Sequence, residues 1–109
     1  MLNMEIIQAA VNRLAAATSS PSRVIVFGSY ARGTAHPNSD LDLMVIEEEV
    51  IDKAAEYMKL LDALGRIAPG VGVDLLIFPK QEYERRSQVP GTVLYRAQKE
   101  GKVLYDALH

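Results

Sequence analysis

The chain of 109 residues has no cysteine. Disulfides, zinc–thiolate centres and thiol nucleophiles are thereby excluded, and a reducing compartment fits the absence. It also lacks a long apolar run. The opening stretch MLNMEIIQAAVNRLAAA has no basic leader and carries Glu5 and Arg13 among its apolar residues. It reads as neither a signal peptide nor a membrane span, and a cytoplasmic location with no membrane partner is expected. No internal repeat or low-complexity tract is visible. One domain over residues 1–109 is expected, with a modest core and no room for a second folded unit.

What is present is an ordinary globular mixture, 49% apolar and 24% charged. The net charge of −2 conceals an uneven layout, because residues 40–78 hold nine acids and three bases while the remainder holds five acids and nine bases. Most of these charges read as solvated helix faces. The negative middle nevertheless argues against a nucleic-acid groove there and suits a cation.

The hydrophobic pattern alternates between helix and strand. Ile6, Ile7, Ala10, Val11, Leu14 and Ala17 form a helical stripe over residues 4–17, which Ser-Ser-Pro-Ser at 19–22 breaks. Val24 to Phe27 is a short β-branched run and predicts a buried strand; Gly28-Ser29 ends it, with Ser29 placed to cap a short helix. Residues 33–39 are turn chemistry, and Asp40 to Ile46 predicts a second strand. A helix is expected from about Val50 to Leu64, its stripe being Val50, Ala54, Tyr57, Met58, Leu61 and Leu64. Val73 to Phe78 predicts a third strand, followed by a polar helical piece (80–88) and a helix from Thr92 to Glu100 that Gly101 is placed to end. Val103 to Tyr105 is a candidate edge strand. The fold class is therefore α/β (α+β), a small mixed sheet flanked by helices.

The informative stretch is VIVFGSYARGTAHPNSDLDLMVI, residues 24–46. A strand that ends in Gly28-Ser29 at the mouth of a helix offers backbone amides and a hydroxyl without a bulky side chain, which is what a triphosphate tail needs. Arg32, one turn on, can add a cation beside the same phosphates. Asp40 and Asp42 are two apart at the start of a strand, so both carboxylates share a face while Leu41 and Leu43 point into the core. Uncompensated, such a pair repels; a divalent metal removes the penalty, and magnesium favours carboxylate and phosphate oxygens. Asp74 is isolated in an apolar strand expected to neighbour the second. Three carboxylates around two metals suit in-line phosphoryl or nucleotidyl displacement, with Asp74 helping to activate an acceptor hydroxyl.

Each piece also has a plain structural reading. Gly-Ser is a common helix entry, Asp-x-Asp after Pro-Asn-Ser can be turn and cap chemistry, and a lone strand acid can sit at an exposed edge. Jointly they are harder to dismiss: at roughly one in fifteen per residue type, Gly-Ser, ten residues and Asp-x-Asp would recur about once in several hundred random chains of this length.

The stretch resembles the signature of the nucleotidyltransferase superfamily that includes DNA polymerase β, and in particular its minimal nucleotidyltransferase (MNT) branch. The likeness rests on Gly28, Ser29, Ala31-Arg32-Gly33, Ser39, Asp40 and Asp42, more loosely on Asp74, and on the Gly-Lys-Val-Leu-Tyr ending at 101–105. It implies that Asp40, Asp42 and Asp74 are the catalytic, magnesium-binding carboxylates. It also implies that Gly28 and Ser29, with Arg32 read beside them, hold the triphosphate and that ATP is the donor; Ser39 is a candidate for the nucleotide, with a turn role equally open. The MNT branch further resembles the antitoxin half of toxin–antitoxin modules. The implied partner is a helical HEPN-type toxin, neutralised by AMP transfer onto a tyrosine.

Two other readings stay open: an enzyme that modifies a small molecule, and a toxin-binding module with no activity. A further protein is expected to complete the acceptor site, since nothing in the chain supplies one. His36 reads as a solvated loop residue. The tyrosines read as core edges, with Tyr30, beside the phosphate turn, the exception worth testing. Leu60, Leu94 and Leu104 near element edges leave room for a homo-oligomer.

Overall fold

The N-terminal helix α1 (Met4–Ala17) begins where the Asn3 side chain accepts a hydrogen bond from the Ile6 amide at 2.9 Å. The computed structural model describes residues 1–108, so His109 lies outside the described residues. After α1 come β1 (Ser22–Phe27), the four-residue α2 (Ser29–Arg32) and β2 (Leu41–Glu47). Then follow α3 (Lys53–Leu64), β3 (Val73–Pro79), α4 (Lys80–Arg86), α5 (Val93–Glu100) and β4 (Lys102–Asp106). The expected edge strand is thus present, and it pairs with β1.

The sheet runs in the order β3-β2-β1-β4. β1 is antiparallel to both β2 and β4, whereas β2 and β3 are parallel because α3 carries the chain back across the sheet between them. This is the mixed sheet expected from the sequence. Alternation along the strands gives it two buried faces. Val24, Val26, Leu41, Leu43, Val45, Leu75 and Ile77 pack under α1 and α3, and Ile25, Phe27, Met44, Ile46 and Phe78 pack under α4 and α5.

Four expectations are corrected. The buried face of α3 is Glu56, Leu60 and Leu64; of the anticipated stripe Leu64 is buried and Val50 and Leu61 pack at the core's edge, but Met58 is 64% exposed, and Tyr57 is also exposed. A buried glutamate interrupted the apolar periodicity, which shifted the apparent stripe round the helix. That helix also starts later, at Lys53, with the Asp52 side chain accepting from the Ala55 amide at 3.0 Å. Ser29 does not cap α2; Gly28 is the cap residue, and no side chain bonds there. Finally, Leu60 and Leu94 are fully buried, so they belong to the two cores and offer nothing to a second copy. Gly101 does end α5, through lack of space rather than a left-handed turn: a Cβ there would meet the Ala97 carbonyl oxygen at 2.2 Å and Ile25 Cγ2 at 2.4 Å.

Candidate functional site

Strand pairing assembles the acids. In the parallel β2–β3 register Asp42 lies directly opposite Asp74, and in the antiparallel β1–β2 register Phe27 lies opposite Asp42. Asp42 therefore sits at the rim of the face that α5 covers, in line with Met44 and Ile46. The two carboxyls hydrogen-bond to each other. Asp42 is half-buried, and its carboxyl is pushed up to about 6, first by burial, then by the hydrogen bond and charge of Asp74, with Asp40 adding repulsion and Arg96 opposing it.

Two glycines make room for the carboxylates. Gly28 has φ +73°, and a Cβ built on it would fall 2.0 Å from Asp42 Oδ2. Only glycine tolerates both the conformation and the contact. A Cβ on Gly72 would fall 2.5 Å from Asp40 Oδ1, and the Gly72 carbonyl accepts from the Leu41 amide at 2.9 Å. The Asp40 side chain thus lies on the backbone that leads into β3. Asp40 is exposed and precedes β2, where the sequence reading placed it inside the strand.

The other expected residues are placed as follows. Gly28 is buried, and its carbonyl accepts from the amides of Ala31 and Arg32 at 3.1 and 3.0 Å. Ser29 is half-buried, one residue beyond. Arg32 is engaged: its Nη1 donates to Glu100 Oε1 and Oε2 at 3.0 and 3.2 Å. Ser39 is buried in its own turn, its Oγ accepting from the His36 amide at 2.9 Å. The Tyr30 hydroxyl accepts from the Leu2 amide at 3.2 Å, and His36 Nδ1 accepts from the Asn38 amide at 3.2 Å.

A cleft of about 400 Å³ opens on the acids, lined by Phe27, Asp42, Asp74, Tyr57, Val93 and Arg96 among others. Arg96, which sequence reasoning missed, holds its guanidinium 5.6 Å from the centre of the Phe27 ring. Glu100, also missed, accepts from the Gly28 amide at 3.2 Å and lies 3.7 Å from Arg96 Nε. Their four-residue spacing on α5 was visible, but nothing local tied α5 to the motif. Tyr57, expected in the core, lines the cleft instead.

The donor set suits a hard cation in part. Asp42 and Asp74 are facing carboxyls whose repulsion a divalent ion would relieve. Among the described residues, no three acidic or imidazole side chains converge closely enough to hold a metal. Asp40 stands beside the pair rather than within it.

Comparison with known proteins follows the same lines. A family model described as polymerase beta, nucleotidyltransferase, matches residues 10–108. A Methanocaldococcus jannaschii protein named as a candidate protein adenylyltransferase is 41% identical over 54 residues, which make up 49% of this chain and 53% of that protein. The chain thus spans about half the length of that relative. A toxin–antitoxin structure with AMP-PNP is 28% identical with a TM-score of 0.61, over 96% of this chain and 74% of the other. A Shewanella oneidensis structure of tri-AMPylated HEPN toxin with MNT antitoxin shares the fold, at 21% identity and a TM-score of 0.55, over 94% and 71%.

Proposed function

The chain belongs to the polymerase β nucleotidyltransferase family, and on that premise we propose that it transfers AMP from ATP onto a tyrosine hydroxyl of a HEPN-type toxin, acting as the antitoxin. The observation that carries the reading is Asp42 facing Asp74 across two strands, with Gly28 stripped of the Cβ that would otherwise fill the space over Asp42. Relatives described with AMP-PNP and with an AMPylated HEPN toxin support the donor and the partner.

In the reaction, Asp74 takes the proton of the acceptor hydroxyl, and the freed oxygen attacks the α-phosphorus in line. One bond forms from that oxygen to phosphorus; the α–β bridging bond breaks, and pyrophosphate leaves. Asp42 and Asp74, with Asp40 beside them, are the residues that would hold magnesium, which would neutralise charge where the carboxylates meet the phosphates. Asp74, the more exposed of the facing pair, meets the acceptor from solvent, while half-buried Asp42 stays fixed against Gly28. Phe27 and Val93 line the cleft wall from which water must be displaced. An AMP added to the toxin brings bulk and negative charge, which repels RNA.

The test is the intact mass of a helical HEPN-type protein co-expressed and co-purified with this chain, then incubated with magnesium and ATP. Mass gains in steps of one AMP, lost with Asp40→Ala/Asp42→Ala, are expected. Tight binding with no gain would replace this reading with that of a binding-only antitoxin.

A further inference from the structure

Three positively polarised groups converge on one carboxylate. The Gly28 amide donates to Glu100 Oε1 at 3.2 Å, Arg32 Nη1 donates to both its oxygens, and Arg96 Nε lies 3.7 Å away. The geometry points to Glu100 as a stand-in anion: its carboxylate holds, in the nucleotide-free chain, the place that a phosphate of the triphosphate takes, and Arg96 is a second triphosphate-binding cation beside Arg32. This rests on the nucleotide-donor reading above.

Position supports it. Glu100 and Asp42 flank the same glycine, one bonded to its amide and the other against the space where its Cβ would lie. An anion at Glu100's place is therefore one residue removed from the carboxylates, as the tail of a nucleotide reacting at those carboxylates must be. Arg96 lines both the cleft over Asp42 and Asp74 and a second cleft of about 460 Å³ with Thr92, Lys99 and Glu100, so the two spaces meet at its side chain.

Mobility supports it as well. Gly101 is wedged against Ala97 and Ile25, which fixes the backbone at the end of α5. The three-torsion side chain of Glu100 can still swing away from that anchor. The arginines lose little by its departure, since their side chains are 47% and 57% exposed and such ion pairs contribute little. A triphosphate carries several charges against the single charge of Glu100, so it wins the competition for two guanidiniums and an amide.

The experiment is calorimetric titration of the full chain with magnesium–ATP, magnesium tripolyphosphate and adenosine, comparing wild type with Glu100→Gln, Glu100→Ala and Arg96→Gln. Circular dichroism checks each fold. Both Glu100 variants should bind ATP and tripolyphosphate about three- to fivefold more tightly, and Arg96→Gln several-fold more weakly, with adenosine unmoved. Folded Glu100 variants that bind triphosphate no better than wild type, or a gain shared equally by adenosine, would overturn the stand-in. Unchanged binding in Arg96→Gln would remove Arg96 from the site. Wild type that binds neither ATP nor tripolyphosphate would overturn this proposal and the nucleotide-donor reading together. Wild type that binds ATP, with Glu100 variants no tighter, would overturn this proposal alone.

Discussion

Raising the pH from 5 to 8.5 should destabilise this protein, and Glu47→Gln should remove most of that loss. Glu47 ends β2 with no exposed surface and faces Glu56 of α3, which is also buried. The surroundings divide the pair unequally. Glu56 accepts from the Ser19 amide at 2.9 Å and the Ser19 hydroxyl at 2.6 Å, and it pairs with Lys59 at 3.2 Å. Glu47 has only long contacts to Ser20, at 3.3 and 3.4 Å, and its Oε2 meets no donor. An oxygen without a donor is where a proton belongs, so protonated Glu47 donates to ionised Glu56. Burial above all, then the hydrogen bond and charge of Glu56, pushes Glu47 up to about 7. Burial pushes Glu56 the same way, but the hydrogen bonds from Glu47 and Ser19 and the nearby Lys59 hold it at about 2.

The two signs differ. Glu47 has a folded pKa above its ordinary 4.5, so the native state holds a proton that the unfolded chain releases; its contribution is full below 4.5 and is lost as the pH rises through 7. Glu56 has a folded value below 4.5, so its contribution is present above 4.5 and is lost as the pH falls towards 2. The pair therefore stabilises most near pH 4.5 to 5. At about 1.4 kcal/mol per pH unit, the gap from 4.5 to about 7 amounts to about 3 kcal/mol. That is a large share of the ~5–15 kcal/mol that holds a domain together. Urea unfolding, followed by circular dichroism at half-unit pH steps, measures it. Wild type should lose at least 2 to 3 kcal/mol (roughly, by the same conversion) between pH 5 and 8.5, while Glu47→Gln, which donates to Glu56 without titrating, keeps only the smaller loss left by Asp42, whose carboxyl is also raised, to about 6. Parallel curves for the two proteins would refute the shared proton.

The remaining predictions concern the site and the corrected helix face. Gly28→Ala forces a methyl into Asp42 at a φ of +73°, so it should cost about 1–3 kcal/mol in thermal unfolding and abolish AMP transfer, read by intact mass. Asp42→Asn removes a repelling charge, so the metal-free protein should melt no lower than wild type by scanning fluorimetry while transfer falls by about a hundredfold or more. Leu60→Ala should cost about 2–5 kcal/mol in urea unfolding against within ~0.5 for Met58→Ala; equal costs would restore the stripe expected from the sequence.

The sequence made the strands and helices legible wherever one period ran unbroken: α1, β1, β2 and β3 each carry an apolar pattern that only one structure satisfies. It failed at α3 because Glu56 is polar and buried, satisfied not only by Lys59 one turn along the same helix but by Ser19, which no local pattern connects to it. The site divides the same way. Gly28, Asp40 and Asp42 share one short stretch, and Asp74 could be joined to them because a β–α–β crossover makes neighbouring parallel strands the expected outcome. Arg96, Glu100 and Gly72 were invisible because their roles depend on which helix covers which rim. The ion pair that engages Arg32 was invisible for the same reason: its partner lies 68 residues away.

β2 carries a facing pair of acids near each end, and the contrast between them separates structure from chemistry. Glu47 and Glu56 are both buried, supplied with two serines and a lysine and balanced by a single proton, although a cleft of about 300 Å³ lies over the Glu56 side. Asp42 and Asp74 repel in the same way but meet an open cleft, with Asp74 exposed and Asp42 opposed only by a guanidinium that also serves Glu100. A glycine keeps the approach to Asp42 clear, at the cost of a conformation that no other residue adopts comfortably. An acid pair that exists to stabilise the fold has no use for that clearance. The repulsion at Asp42 and Asp74, eased in the chain itself only by their own hydrogen bond and Arg96, is what would, on the proposed reading, fit this end of β2 to receive a cation and the phosphates that come with it.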